Sequence, residues 1–174
     1  ADNSGKVYGA EDPTLTATVT GNLNNDEIGY TVIREAGEDV DNYVITASGD
    51  AVQGNYTVTY TPGTFTITAS DAMTVTGVDY SDIYDAAEHG EAATATVTEG
   101  TTLSYSIDGG ENWTSEYPTI KNVGTVNVTV KATNHNYAEA TDTYTLEVTP
   151  KAVTVVADNS GKVYGAEDPT LTAT

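Results

Sequence analysis

ADNSGKVYGAEDPTLTAT occupies Ala1–Thr18 and returns, letter for letter, at Ala157–Thr174, an offset of 156 residues. An identity this long does not arise by chance. It marks one full period of a tandem array followed by the first strands of the next period. The end of the stretch carries the fold signal. In TLTATVT, residues 14–20, Leu15, Ala17 and Val19 alternate with Thr16, Thr18 and Thr20. Alternation at period two places one face of a strand in a core and the other in water.

The same pattern continues along the chain. IGYTVIR (28–34), YVITA (43–47), NYTVTY (55–60) and TFTIT (64–68) read as further strands, separated by turn clusters of Gly, Asn, Asp and Pro. Phe65 and Ile67 are expected to face inward. Ser70-Asp71 reads as a linker, and a second cycle follows at 73–78, 93–98, 102–107, 112–115, 125–132 and 144–148. In TVNVTVKA, Val126, Val128 and Val130 are the expected core face and Lys131 points outward. The two cycles share a plan: ATVT recurs at 17–20 and 95–98, after Tyr8 and Tyr84 respectively. No helical period appears. KAVTVV (151–156) reads as the first strand of the next copy, so the equivalent strand is missing ahead of Ala1.

The expected fold is all-β: two tandem, elongated, β-sandwich-like modules, Ig-like or β-grasp-like, plus the first strands of the next repeat. The expected boundaries are 1–70, with its first strand truncated, 71–150, and 151–174 as the start of the next module. Strands of roughly 8–10 residues at ~3.3 Å per residue give a period of roughly 60–80 Å.

Composition agrees with small cores. Of 174 residues 38% are apolar, with one Phe, one Trp and one Met against twelve Tyr. The net charge is −20, from 26 acids and six bases. Such an array repels itself and stays extended at low salt. There is no basic patch to displace counterions, which excludes nucleic acid as a partner. Cys is absent, so there is no disulfide framework. No long apolar run reads as a membrane insertion in this segment.

Few residues suggest chemistry. Ser106, Asp108, Gly110 and Trp113 have the S-x-D-x-G-x-x-W spacing of an Asp box, a hairpin device in which the Asp caps turn amides and the Trp packs under the turn. Arg34 is the one Arg, surrounded by Glu35, Glu38, Asp39 and Asp41, and reads as a salt bridge pinning that loop. Lys6, Lys121, Lys131 and Lys151 each fall where a strand is expected and are the candidates for an isopeptide cross-link. His89 and His135 lie apart without Cys, which argues against zinc. No Ser/His/Asp order and no nucleophile elbow is present. No catalytic or cofactor-binding residue is assigned, metal ligands are left unassigned, and the chain is not expected to be an enzyme. No cofactor is expected; Ca²⁺ at the acidic loops or module junctions is the alternative to solvated carboxylates, although no EF-hand loop occurs.

VYGAEDPTLTATVTG, IREAGEDVDNYVITASG and GNYTVTYTPGTFTIT resemble the bacterial MBG/YDG repeat family of very long surface proteins, across roughly residues 1–70. IYDAAEHG, YSIDGGENW and NVGTVNVTVKATNHNYAEA are similar to the bacterial Ig-like modules that alternate with it. Ala86 stands where Gly often follows Tyr-Asp. The resemblance implies a secreted or cell-surface bacterial adhesin, stalk or fibre and carries no catalytic residues.

The expected function is therefore a structural repeat unit, a spacer or filament shaft of an extracellular bacterial surface fibre. The alternative is an adhesive module that recognises glycan or host protein. An exposed Trp113 with neighbouring Tyr favours the alternative; a buried Trp113 counts against it. The expected partners are neighbouring copies, head to tail. The terminal overlap suggests strand addition between copies, and pairing of 157–174 within its own chain counts against it.

Overall fold

The computed structural model describes residues 1–174, and every regular element in it is a strand. In the first module these are β1 (Ser4–Val7), β2 (Thr31–Arg34), β3 (Asn42–Ser48), the short pair β4 (Val52–Gln53) and β5 (Tyr56–Thr57), and β6 (Gly63–Thr68). One sheet runs in the order β1-β6-β3-β2. Alternation in YVITA and TFTIT sends Ile45, Phe65 and Ile67 inward, where all three are fully buried. Ala1, Tyr8, Leu15, Val32, Val40 and Tyr43 close around them. β1 pairs with β6 in parallel, and the ladder places Gly5 so close that a Cβ there would meet the Thr66 carbonyl oxygen at 2.4 Å. Only a residue without a side chain fits that approach.

The second module contains β7 (Val75–Thr76), β8 (Tyr80–Ile83), β9 (Thr94–Ala95), β10 (Thr102–Ser106), β11 (Gly124–Asn134) and β12 (Tyr137–Thr149). Its main sheet runs β10-β11-β12-β8, and β7 pairs with β9. Val128 and Val130 face the core as expected, together with Met73, Tyr105, Tyr144, Leu146 and Val148. Lys131 lies on the opposite face of β11.

The modules share one topology. Each has an early strand parallel to its last strand, β1 on β6 and β8 on β12. Each early strand ends at a Tyr whose N–H donates to the end of the last strand: Tyr8 to the Thr68 carbonyl at 2.8 Å, Tyr84 to the Thr149 carbonyl at 2.9 Å. The paired tyrosines of the sequence mark one structural position. The parallel strands were not expected, because GKVY and YSDIY carry a polar residue at alternate inward positions and hide the period-two signal.

Several expected strands are shorter than read. Residues 14–20 keep their alternating burial, with Leu15, Ala17 and Val19 half-buried, but form no ladder beyond Asp2 N–H to the Thr16 carbonyl at 3.0 Å. Of 28–34 only Thr31–Arg34 pairs. Of 112–115 only Thr114 bridges, to Tyr105. Residues 151–156 form no strand at all. Strands persist where a partner strand lies alongside, and these segments have an open edge.

Residues 151–174 are exposed throughout. The backbone bonds of 156–174 stay within that segment: Val156 with Thr174 in both directions, and Asp158 N–H to the Thr172 carbonyl. This is the pairing that counts against exchange of the tail between copies. The tail repeats the local design of its copy. Asp158 accepts from the Thr172 and Thr174 hydroxyls as Asp2 accepts from those of Thr16 and Thr18.

Candidate functional site at the junction of the two modules

The most elaborated polar structure in the chain begins with Lys6 on β1 and Arg34 at the end of β2. Both cations lie under the loop that joins β2 to β3. Lys6 Nζ is 2.7 Å from Asp12 Oδ1 and 2.5 Å from Glu38 Oε2. Arg34 Nε and Nη2 each reach a carboxylate at 2.5 Å, Asp12 Oδ2 and Glu38 Oε1. Arg34 Nη1 also donates to the Gly37 carbonyl at 2.6 Å and to that of Glu35 at 3.0 Å. The guanidinium lies over the Phe65 ring at 4.8 Å and near Tyr43 at 5.7 Å. A planar cation with five donors suits this position, between two carboxylates and an aromatic face. Both cationic side chains are nearly enclosed, at 6% and 10% exposed. The Arg34 and Lys6 hydrogen bonds hold the Asp12 carboxyl down at about 2. Glu38 is likewise lowered, by Lys6 and then Arg34, and Lys6 is raised by Asp12 and Glu38.

Arg34 therefore pins its loop, as its sequence setting suggested, but through a different set of acids. Glu38 is used; Asp12 and Lys6, distant in sequence, complete the network. Asp12 belongs to the Asp-Pro that follows Tyr8-Gly9, so the spacing of that motif delivers a carboxylate under the loop. Lys6 between two carboxylates has the proximity that an isopeptide bond needs. Such a bond forms from a neutral amine and a protonated acid, and the network favours the opposite charge states of both.

The pinned loop carries Asp39 and Val40, and these meet the second module. Asn136, in the turn between β11 and β12, accepts from the Val40 N–H through Oδ1 at 2.8 Å and donates through Nδ2 to Asp39 Oδ1 at 2.8 Å. Its backbone carbonyl accepts from the Ser70 N–H at 3.1 Å, and the Ser70 carbonyl accepts from the Ala138 N–H at 2.8 Å. Ser70, read as linker, is thus a buried bridge in register with Tyr137. The Tyr137 ring meets Tyr8 edge to face at 5.3 Å. Asn134 supports the turn: its Oδ1 accepts from the Asn136 N–H at 3.0 Å, and its Nδ2 donates to the Glu99 carbonyl and the Thr101 hydroxyl, both at 2.9 Å. Sequence reading missed Asn136. Its one signal is the Asn-Tyr step, which occurs at 42–43, 55–56 and 136–137 and so does not single it out.

The remaining sequence candidates fall elsewhere. Asp108 caps its hairpin: Oδ1 accepts from the Glu111 and Asn112 N–H groups at 3.1 and 3.0 Å and from the Ser106 hydroxyl at 2.6 Å. These donors hold its carboxyl well below the usual range, the Asn112 amide most of all. Gly109 and Gly110 supply φ of 77° and 95° in the turn. Trp113 packs against the turn, its ring 3.5 Å from where a Cβ on Gly110 would stand. Its indole N–H donates to the Gly110 carbonyl at 2.9 Å, Lys131 Nζ sits 4.2 Å from the ring centroid, and 37% of the residue stays exposed. His89 pairs with Asp85 at 2.9 Å and stacks on Tyr80, away from His135. No three His, Cys, Asp or Glu side chains gather in a metal-holding group. No helix is long and apolar enough to cross a membrane.

Residues 1–66 match the family described as MBG domain (YGX type). This agrees with an MBG-type repeat module and covers Lys6, Tyr8, Gly9, Asp12, Arg34 and Glu38. A comparison with curated proteins finds no similar sequence. Among solved structures the chain is similar to the tandem Ig repeats of Dlar, at 13% identity over 74% of this chain and 80% of that chain, with a TM-score of 0.34. It is also similar to the N-terminal four Ig domains of Dscam1 isoform 7.44, at 13% identity over 87% of this chain and 43% of that chain, with a TM-score of 0.36.

Proposed function

We propose that the chain is a structural repeat unit of an extracellular bacterial surface fibre or stalk, acting as a spacer and carrying no catalysis. The proposed division is an MBG-type module at 1–70, an Ig-like module at 71–150 and the start of the next module at 151–174. The observation that carries the reading is the junction. Asn136 grips Asp39 and Val40 with side-chain bonds of 2.8 Å, and the linker residue Ser70 is built into the same contact. A binding site would be expected to leave its polar groups free for a ligand; here they are spent on fixing one module against the next. Net charge of −20 keeps neighbouring shafts apart in the same reading. Neighbouring copies, joined head to tail, are the proposed partners.

The test is small-angle scattering on arrays of one, two and three periods. A shaft lengthens by an equal increment per period; a collapsed or freely jointed array grows more slowly than its number of periods. One observation favours a second reading. Trp113 keeps a partly exposed ring, as glycan-binding surfaces do. A glycan or host-protein ligand whose binding is lost in Trp113→Ala, with the fold intact, would select adhesion.

A further inference from the structure

Each module lays an early strand parallel to its last strand, and the two ladders match residue for residue. β1 runs Ser4–Val7 against Phe65–Thr68, and β8 runs Tyr80–Ile83 against Leu146–Thr149, four paired residues in each. Ahead of each ladder a side-chain oxygen accepts from a Thr amide: Asn3 Oδ1 from the Thr64 N–H at 2.9 Å, Asp79 Oδ1 from the Thr145 N–H at 2.7 Å. Behind it the amides of Tyr8 and Tyr84 donate to the Thr68 and Thr149 carbonyls. The hydroxyls of the same two threonines donate to the carbonyls of Lys6 and Asp82, at 3.4 and 3.2 Å. Every partner sits at the same offset in both modules. Asn3 and Asp79 lie five residues before the Tyr, Lys6 and Asp82 two before it, and Thr64 and Thr145 four before the last Thr. Yet SGKV and YSDI have no aligned residue in common.

The path of the chain through these ladders has a mechanical consequence. In each module the chain enters the ladder through the early strand and leaves through the last one. Because the two strands are parallel, the entry end of one and the exit end of the other lie at opposite ends of the ladder. Tension along the chain slides the strands past one another and loads all the bonds together. Pulling both strands from one end opens the same ladder bond by bond. β7 precedes β8 on this path, but its ladder with β9 spans only two residues.

We infer that the β1–β6 and β8–β12 ladders are shear clamps that carry tension through the repeat, so that the chain is a load-bearing tether as well as a spacer. The inference rests on the tandem-array reading, in which every module is pulled through its two ends. A spacer needs stiffness between modules, which Asn136 supplies; a tether also needs each module to stay folded when pulled. Modules in series all bear the same force, and the least resistant opens first. A clamp in one module alone would protect nothing. The same set of bonds, built on different side chains in both modules, meets that demand.

The test pulls one module in two directions. The chain has no Cys, so a pair of introduced thiols defines the direction of pull. Asp71→Cys plus Lys151→Cys loads the second module through its natural ends. Ala87→Cys plus Lys151→Cys draws β8 and β12 apart from their shared exit end. All three positions are exposed and lie outside the ladder. In optical-trap unfolding of the 174-residue chain, the first pair should give unfolding at least ~10-fold slower than the second at equal force, since forced unfolding is governed by the unfolding rate along the pulled path. Asp79→Ala removes the acceptor for the Thr145 amide, a bond that unzipping from the exit end reaches last. It should speed unfolding roughly 3-fold or more for the first pair and change the second by less than about twofold. Equal rates in the two directions overturn the inference, and so does equal acceleration of both by Asp79→Ala. If Asp79→Ala does not fold, the comparison of directions on the unaltered ladder decides alone. Equal increments of length per period with no dependence on direction leave the spacer reading standing while this one fails; slow unfolding through the natural ends without equal increments does the reverse.

Discussion

Tyr144 sits in the second core at 4% exposure, and its hydroxyl has no hydrogen-bond partner. Burial pushes its pKa up to about 12. A buried, unpaired hydroxyl costs free energy that a phenyl ring of the same shape does not. Tyr144→Phe should therefore stabilise the second module by about 1 kcal/mol, read from urea unfolding. Ala86 is a second local misfit: it holds φ at 72°, where a Cβ is strained. Ala86→Gly should be neutral to stabilising, by up to about 1 kcal/mol, whereas Gly→Ala at Gly9, at φ 82°, should destabilise. Arg34 is the reverse case. Arg34→Met keeps the contact with Phe65 but leaves Asp12 and Glu38 to Lys6 alone and the Gly37 carbonyl without its donor, and should lower the melting temperature of the first module by roughly 5 °C or more. The pH dependence follows from the same acids. Asp12 titrates at about 2 when folded, below its ordinary 3.8. Its contribution is complete above the ordinary carboxylate range and is lost as pH falls toward 2. Thermal melts from pH 6 to pH 2 should show the first module of wild type losing stability steeply and the Arg34→Met variant losing less.

At the scale of elements, the hairpin after β10 depends on one carboxylate accepting from two backbone amides. Asp108→Ala should speed hydrogen exchange at Glu111 and Asn112 while leaving β11 and β12 protected; unchanged exchange would mean that Gly109, Gly110 and the Ser106 hydroxyl suffice to hold the turn. The Asp box was legible in sequence because all its partners lie within eight residues. The cores were legible for the same kind of reason, since Phe65, Ile67, Val128 and Val130 declare themselves by local alternation. What was not legible depends on contacts distant along the chain. β1 and β8 are identified as strands only by parallel partners more than 60 residues away. Asp12 finds Arg34, and Asn136 finds Asp39, through the fold and not through spacing. Residues 14–20 and 151–156 have the alternating pattern of strands and form no ladder, because alternation reports which face is apolar and not whether a partner strand lies alongside.

At the scale of the whole molecule, the proposed spacer role makes stiffness the property to test. Two modules joined by a bare linker would swivel; here Lys6 and Arg34 fix the loop, the loop presents Asp39 and Val40, and Asn136 ties them to the second sheet. Asn136→Ala removes both side-chain bonds and keeps the Ser70 ladder. It should leave each core's stability within about 1 kcal/mol while loosening their relative orientation. The most direct measurement of the account is ¹⁵N relaxation of the intact chain, read separately for amides of β3 and β6 and of β11 and β12. A shaft requires the two sets to report one common, anisotropic tumbling, which separates into two in Asn136→Ala. Two independent, faster correlation times in the wild-type chain would contradict it.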